Sequence, residues 1–253
     1  MTYLEGFVAA VPEANKEAYR KHAADAAPIF QEFGVKRHVE AWDSDIHEGK
    51  VTDFRMAVNA KPDEKIVFAW FEYPSKDIRD SVNAKMMSDP RMKEMGENMP
   101  FDGKRMIYGG FDAIVEEGGE RGDYIDGFVV PVPEGKTEAY RSLAAKMAKV
   151  FREHGATRVV EALSNDVPKG EVTDFYRAVK AEEGEKVVFS FIEWPDKAIR
   201  DQAWKEIMAD ESLKPEGEMP FAGQRMFWGG FDTIHDTAKL AAPQAAAPVG
   251  QPA

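Results

Sequence analysis

A stretch near the middle of the chain returns near its end, and this repeat constrains the fold more than any other feature. Residues 99–112 read MPFDGKRMIYGGFD, and residues 219–232 read MPFAGQRMFWGGFD. A match of this length at a spacing of about 120 residues lies far outside the periods of solenoid repeats. The 253-residue chain is therefore predicted to hold two copies of one domain, each of roughly 115 residues and large enough to bury a core.

Both copies show the same predicted order of elements. Alternation of side chains predicts strands, and apolar residues at helical spacing predict helices. The segment 53–59 is predicted to be a short helix, with a strand as the alternative, and residues 92–98 are predicted to be a loop. The predicted strands are 3–11, 35–43, 66–73, 105–115, 124–132, 156–164, 187–194 and 225–235, and the long helices are 13–33, 75–88, 134–154 and 196–209.

Composition supplies the domain boundaries. A polar segment with three glycines, residues 118–123 and the positions just before it, is predicted to join a first domain of residues 1–117 to a second of residues 124–236. The last residues, 237–253, are rich in alanine and proline. They have too few large apolar side chains to offset the entropy of ordering, so they are predicted to form a disordered tail.

Charge and cysteine content exclude several classes of protein. The formal net charge is −12, which opposes binding to nucleic acid or to anionic lipid. The sequence has no cysteine, so disulfides and thiolate metal sites are excluded. No apolar run approaches the ~20 residues that a membrane span needs, and no signal peptide is evident at the N-terminus. We expect a cytoplasmic protein that binds neither membrane nor nucleic acid.

The order strand, helix, strand, short helix, strand, helix, strand is typical of a ferredoxin-like α+β domain, in which both long helices cover one face of the sheet. Alternation places Tyr3, Phe7, Trp42, Phe68 and Trp70 on the other face. This is more aromatic surface than a monomeric domain leaves in water. The two copies are therefore predicted to pair sheet to sheet about a pseudo-twofold axis, as an intrachain pseudo-dimer.

Three motifs recur in both halves: Tyr3-x-Glu5-Gly6-Phe7-Val8, the segment Val51-Thr52-Asp53-Phe54 with Ala57-Val58, and the repeated stretch from Met99 to Phe111. Together they resemble the DUF1428 family of uncharacterised bacterial proteins. The family is similar to dimeric α/β-barrel proteins, whose ferredoxin-like protomers pair by their sheets around a cavity. The resemblance implies that one chain here builds the barrel that single-copy relatives build as a homodimer, and it implies no established catalytic residues.

The barrel hypothesis gives candidate site residues. Carboxylates buried in an aromatic cavity have raised pKa values and can act as general acid or base. The alternative is that arginines such as Arg37, Arg105, Arg158 and Arg225 pair with them to fix the interface. The candidates on the predicted cavity face are Glu5, Glu40, Glu72, Asp126, Glu161, Glu193 and His38, and the predicted walls are Tyr3, Phe7, Trp42, Phe68, Trp70, Tyr108, Phe128, Phe189, Phe191 and Trp228.

Three functions remain open at this point. The first is a barrel that binds a small apolar or aromatic molecule between the sheets, as in a cofactor-independent monooxygenase-like enzyme. The second is a non-enzymatic barrel of the stress-response type, which a fully packed interior would favour. The third, an RNA-associated role, is disfavoured by the negative charge. No histidine is repeated and no set of metal ligands converges, so we expect neither a metal nor another cofactor.

Overall fold

The computed structural model describes residues 2–213 and 217–240. Within these residues, each repeat shows four strands, two long helices and one single-turn helix, and the first repeat also shows the helix α4. In the first repeat these are β1 Tyr3–Pro12, α1 Lys16–Phe33, β2 Arg37–Ile46, α2 Phe54–Ala57, β3 Glu64–Tyr73, α3 Lys76–Ser88, α4 Pro90–Glu97 and β4 Ile107–Gly118. In the second they are β5 Tyr124–Pro133, α5 Thr137–Glu153, β6 Arg158–Asp166, α6 Phe175–Ala178, β7 Glu185–Trp194, α7 Lys197–Ala209 and β8 Phe227–Asp236, followed by α8 Thr237–Leu240.

The eight strands close into one antiparallel barrel in the order β1-β3-β2-β8-β5-β7-β6-β4. Within each repeat the order is that of a ferredoxin-like sheet, β4-β1-β3-β2 and β8-β5-β7-β6. The repeats join where β2 pairs with β8 and where β4 pairs with β6. Closure leaves no free strand edge between the repeats, and it confirms the predicted pseudo-twofold barrel within one chain.

Aromatic side chains fill the space between the two sheets. Phe68 and Phe189 occupy equivalent positions in the repeats and stack with centroids 4.4 Å apart and planes only 1° apart. Trp70 stacks on Phe191 with centroids 4.0 Å apart. All four side chains are fully buried. The barrel interior, meaning the space enclosed by the eight strands, is therefore a packed core that holds the repeats together by apolar burial.

The single-turn helices settle the alternatives left open for residues 53–59. Asp53 ends an extended segment, and its side chain accepts a hydrogen bond from the Met56 N–H at 2.7 Å. Asp174 makes the equivalent bond to the Arg177 N–H at 2.9 Å. A carboxylate that accepts from an N-terminal N–H is the usual signal for starting a helix, so the short helix is the correct interpretation.

The threonine before each of these aspartates links the two repeats. The Thr52 hydroxyl donates to the carbonyl oxygen of Ala178 at 2.6 Å, and the Thr173 hydroxyl donates to that of Ala57 at 2.8 Å. Both hydroxyls are buried, so each bond satisfies groups that would otherwise be costly to bury. The repeated Val-Thr-Asp-Phe motif therefore caps a helix and ties that helix to the other repeat.

The structure corrects two predictions of local order. Residues 92–98 were predicted as a loop, yet α4 spans Pro90–Glu97, because Asp89 accepts from the Arg91 N–H and Pro90 suits a first helical turn. Residues 237–253 were predicted as a disordered tail, yet Thr237–Leu240 is helical, and the buried Thr237 hydroxyl accepts from the His38 N–H at 2.9 Å. The rest of that segment, 241–253, lies outside the described residues.

None of the helices within residues 2–213 and 217–240 combines the length and the apolar character that crossing a membrane requires.

Candidate functional site

The sheet faces of six strands are the reverse of the prediction. Leu4 and Val8 of β1 point into the barrel interior, whereas Tyr3 and Phe7 pack toward the helices. The same reversal applies to β2, β4, β5, β6 and β8. It places the predicted residues Tyr3, Glu5, Phe7, His38, Glu40, Trp42, Tyr108, Asp126, Phe128, Glu161 and Trp228 on the faces that carry the helices, not on the interior face.

Close approach of the two sheets explains this reversal. A Cβ atom at Gly6 would lie 2.8 Å from the Phe189 ring, and one at Gly127 would lie 2.9 Å from the Phe68 ring. The aromatic rings of β3 and β7 therefore need the small-residue face of β1 and β5 opposite them. Both faces of β1 and β5 carry large apolar side chains, so alternation alone does not distinguish them.

Two predicted acids do lie at the end of the barrel interior, where they pair with arginines of both repeats. Arg37 contacts Glu193 and Asp236 at 2.7 and 2.9 Å, and it lies 3.6 Å from Glu72. Arg158 contacts Glu72 at 2.6 Å and Glu193 at 3.4 Å. The two arginines are related by the pseudo-twofold axis. For Glu72 and Glu193 the geometry matches the alternative reading, in which arginine pairs fix the interface.

The predicted cavity between the sheets is filled, but a cavity of about 320 Å³ lies on the other face of the first sheet. It is enclosed by that sheet and by α1, α3 and α4, and we call it the sheet–helix cavity. Its walls are mostly apolar and include phenylalanines and five methionines. Among the lining residues are Phe7, Phe30, Phe71, Phe101, Met86, Met92, Met95, Met99 and Met106.

A buried polar cluster forms one wall of the sheet–helix cavity. The Tyr19 hydroxyl of α1 donates to Glu40 Oε2 at 2.7 Å, and His38 Nε2 lies 2.6 Å from Glu40 Oε1. Both His38 and Glu40 are buried on the helix-covered face of β2. Burial and the neighbouring Glu40 charge raise the pKa of Tyr19 well above its ordinary value, so its hydroxyl keeps its proton. The Tyr19 hydroxyl and the His38 imidazole thus orient the Glu40 carboxylate.

The other ring nitrogen of His38 is buried without a hydrogen-bond partner among the described residues. The ring packs edge-on against Phe30 and Phe71 and lies 4.8 Å from the ring of His235, centroid to centroid. His235 belongs to β8 of the second repeat and is paired in register with Glu40. Burial, with a smaller contribution from His38, lowers the pKa of His235 to about 4, so His235 is neutral at physiological pH.

A second acid, Glu5 of β1, lines the same cavity. Its carboxylate accepts from the Asn83 amide at 3.0 Å and from the Tyr73 hydroxyl at 3.2 Å, and it lies 3.7 Å from Arg79. Burial raises the pKa of Glu5. The cavity therefore has apolar walls and two separate hydrogen-bonding points, which is the composition of a site for a small molecule.

The equivalent acids of the second repeat lie in a different setting. Glu161 accepts from the Tyr140 hydroxyl at 2.7 Å, and burial raises its pKa to about 7. Asp126 is fully buried and pairs with Arg200 at 2.7 Å, while the indoles of Trp194 and Trp204 donate to it. Val159 stands where the first repeat has His38.

Of the ten predicted wall residues, Phe7 and Tyr108 line the sheet–helix cavity. Phe68, Trp70, Phe189 and Phe191 form the packed barrel interior, and the remaining four pack against helices or loops outside it. Sequence reasoning missed Tyr19, Asn83 and His235. The helical spacing of Tyr19 with Ala23, Ala26 and Phe30 marks an inward face of α1, but only the correct sheet face connects it to Glu40.

No group of three or more potential metal ligands is arranged to hold an ion within the described ranges 2–213 and 217–240.

The chain matches the model of the family described as "Protein of unknown function (DUF1428)" twice, over residues 2–103 and 123–223. The uncharacterised protein YbaA of Escherichia coli K12 is 66% identical over 117 residues, which is 46% of this chain and all of YbaA. A protein of the same name in Shigella flexneri matches equally.

Solved structures show the same fold at low sequence identity. A proposed monooxygenase from Fusobacterium nucleatum superposes with a TM-score of 0.56 at 13% identity, over 93% of both chains. An anthrone oxidase-like protein superposes with a TM-score of 0.52 at 15% identity, over 93% of this chain and 92% of the other. At such identities the likeness concerns the fold alone.

Proposed function

Because the chain belongs to the DUF1428 family, whose function is unknown, we propose a function from its own geometry: it binds a small, largely apolar aromatic molecule in the sheet–helix cavity. The observation that supports this most is a cavity of about 320 Å³ that combines apolar walls with the buried Glu40 carboxylate. Pockets for small molecules have this volume and this mixture of many apolar and few polar groups.

The charges of the site favour a neutral ligand that donates a hydrogen bond. Glu5 and Glu40 both line the cavity, and the whole chain carries a net charge of −12, so an anion would be repelled. The methionine side chains supply a wall that adapts to ligand shape, and the phenylalanines supply flat contacts. An aromatic ring with an acidic O–H or C–H group fits these contacts.

Glu40 is the proposed proton acceptor in a cofactor-independent oxygenation. It takes a proton from the substrate, and Tyr19 and His38 hold its carboxylate in place. The resulting substrate anion then reduces dioxygen. The reaction converts a CH₂ group of the substrate into a carbonyl group. One atom of dioxygen becomes the carbonyl oxygen, and the other leaves as water with the two hydrogens of the CH₂ group. The packed barrel interior by itself would suit the non-enzymatic alternative, but it does not account for this cavity.

Titration with the neutral fluorescent probe N-phenyl-1-naphthylamine tests binding. We expect a saturable rise in fluorescence for the protein, and no rise would remove the proposal. Oxidation of anthrone to anthraquinone with uptake of dioxygen, measured against buffer alone, tests the reaction. If the probe binds but anthrone is not oxidised faster than in buffer, binding remains and the proposed oxygenation is wrong.

The variants Glu40→Gln and Glu161→Gln form a matched pair for this test. Both are expected to fold, because glutamine still accepts from the tyrosine hydroxyl. Loss of the general base lowers the rate with Glu40→Gln by roughly 100-fold or more, while Glu161→Gln leaves it unchanged. Equal losses in both variants would contradict the role of Glu40.

A further inference from the structure

In the second repeat, Trp204 of α7 occupies the space between sheet and helices that corresponds to part of the sheet–helix cavity. Asn83 of α3 and Trp204 of α7 occupy equivalent positions in the two repeats. The Asn83 amide donates to Glu5 at 3.0 Å, and the Trp204 indole donates to Asp126 at 2.7 Å. Both repeats therefore have a hydrogen bond from this helix to the acid on the strand, but the donor is a small amide in the first repeat and a large indole in the second.

The contacts of the Trp204 ring identify the space that it occupies. Its centroid lies 5.3 Å from that of Phe151 and 6.3 Å from that of Trp228. The equivalents of these two residues in the first repeat, Phe30 and Tyr108, both line the sheet–helix cavity. The indole thus lies among the very side chains that would enclose a ligand in the second repeat.

Two further exchanges in the second repeat enlarge side chains that line the space, although Ile192 is smaller than its counterpart Phe71. Met147 stands where the first repeat has Ala26, and Val130 stands where it has Ala9, so both add volume to the wall. Val159 replaces His38 and removes the imidazole next to the conserved glutamate. Compared with the first repeat, the second therefore has larger side chains at three of these positions and lacks the imidazole of the polar cluster.

We infer that Trp204 closes in the second repeat the site that the first repeat keeps open, so that the chain carries one working site for an apolar aromatic ligand. The second repeat still contributes to that site, because its strand β8 places His235 next to His38. The two copies have diverged into a binding half and a supporting half. This inference rests on the proposed function of the sheet–helix cavity.

Stoichiometric titration with N-phenyl-1-naphthylamine, at a protein concentration well above the dissociation constant, separates the inference from the proposed function. One probe per chain is expected. No binding removes the proposed function. Two probes per chain leave the proposed function intact and overturn the inference that the second site is closed.

Reciprocal exchange of the two residues gives the sharper test. Asn83→Trp copies the closed arrangement, keeps the donor to Glu5 and fills the cavity, so affinity for the probe falls by at least 100-fold. Trp204→Asn combined with Met147→Ala opens the second site and raises the stoichiometry to two. Binding that survives Asn83→Trp but is lost in the double variant would overturn the inference. Circular dichroism checks the fold of both variants, and should the double variant fail to fold, a folded Asn83→Trp still decides.

Discussion

Glu40 and Glu161 show how one residue type at equivalent positions comes to have different roles. Each is bound by a tyrosine of the long first helix, Tyr19 or Tyr140, at 2.7 Å. Glu40 also has His38 at 2.6 Å, whereas Val159 offers Glu161 no donor in that place. Glu40 therefore lines the sheet–helix cavity with an imidazole beside it, whereas Glu161 has the Tyr140 and Ser190 hydroxyls as its partners.

The pH dependence of stability tests this difference at Glu161. Burial raises its pKa from an ordinary 4.5 to about 7, so between these values the native state holds a proton that the unfolded chain has released. The contribution of Glu161 to the free energy of unfolding therefore falls as the pH rises through this range. Glu161→Gln lacks this loss and should gain roughly 1–3 kcal/mol relative to wild type between about pH 5 and about pH 8. Urea unfolding at both pH values measures it, and a constant difference would contradict the raised pKa.

The repeated motif near the end of each copy acts at the scale of an element, by fixing the entry to the last strand. Arg105 pairs with Glu64 at the start of β3 at 2.6 Å and donates to the Asn59 carbonyl oxygen at 2.9 Å. Arg225 makes the equivalent bonds to Glu185 and Lys180 at 2.6 and 2.9 Å. The arginine of the motif thus holds the loop before β4 or β8 against β3 or β7.

Removal of Arg105 should be strongly destabilising, because it leaves the buried Glu64 without a countercharge. The Arg105 hydrogen bonds lower the pKa of Glu64 to about 2, so this pair stabilises the fold above the ordinary pKa of 4.5, and that contribution is lost as the pH falls toward 2. We expect Arg105→Met to lower the free energy of unfolding by roughly 3–5 kcal/mol near pH 7.

The control for this prediction is the double variant Arg105→Met with Glu64→Met, which removes the unpaired charge and should recover most of the loss. Chemical denaturation of the three proteins side by side measures both effects. An equal loss in the single and double variants would show that packing, and not charge, determines the stability at this position.

The sequence predicted the elements better than it predicted their faces. The repeat gave the same order of strands and helices twice. Gly34 correctly indicated the end of α1, and Pro74 correctly indicated the end of β3. The face of β1 was wrong because Leu4 and Tyr3 are both apolar, and only the approach of the Phe189 ring to Gly6 selects the inner one. The predicted location of the site was wrong for the same reason. Only when Glu40 lies on the helix-covered face of β2 can it accept the hydrogen bond from Tyr19 of α1.

At the scale of the whole molecule, each repeat completes the other. The barrel interior consists of side chains from both copies, and the unpaired edges of β2 and β4 are covered by β8 and β6. A single repeat would leave the stacked rings of Phe68 and Trp70 in water. The prediction of a barrel was correct although Tyr3, Phe7 and Trp42 lie on the helix-covered faces, because Phe68 and Trp70 do lie on the face that the second repeat covers.

A fragment of residues 1–117 should therefore form a homodimer. A second copy supplies Phe68 where the chain has Phe189, and it also supplies Arg37 and Glu72 where the chain has Arg158 and Glu193. E. coli YbaA, matched over its whole length of 117 residues, has the length of one such copy. Analytical ultracentrifugation should give twice the mass of the fragment, and a folded monomer would contradict the argument.

The variant Trp70→Phe of the same fragment refines this test. In the full chain Trp70 stacks on Phe191 at 4.0 Å, whereas the homodimer brings two tryptophans together at that position and so overpacks the axis. Replacing Trp70 by phenylalanine relieves the overpacking but removes the larger ring from both copies. We expect the variant dimer to have a lower dissociation constant than the unmodified fragment dimer. Weaker association of Trp70→Phe than of the unmodified fragment would contradict this expectation. It would mean that two indoles fit at the dimer axis without strain, although the full chain has one indole and one phenyl ring there.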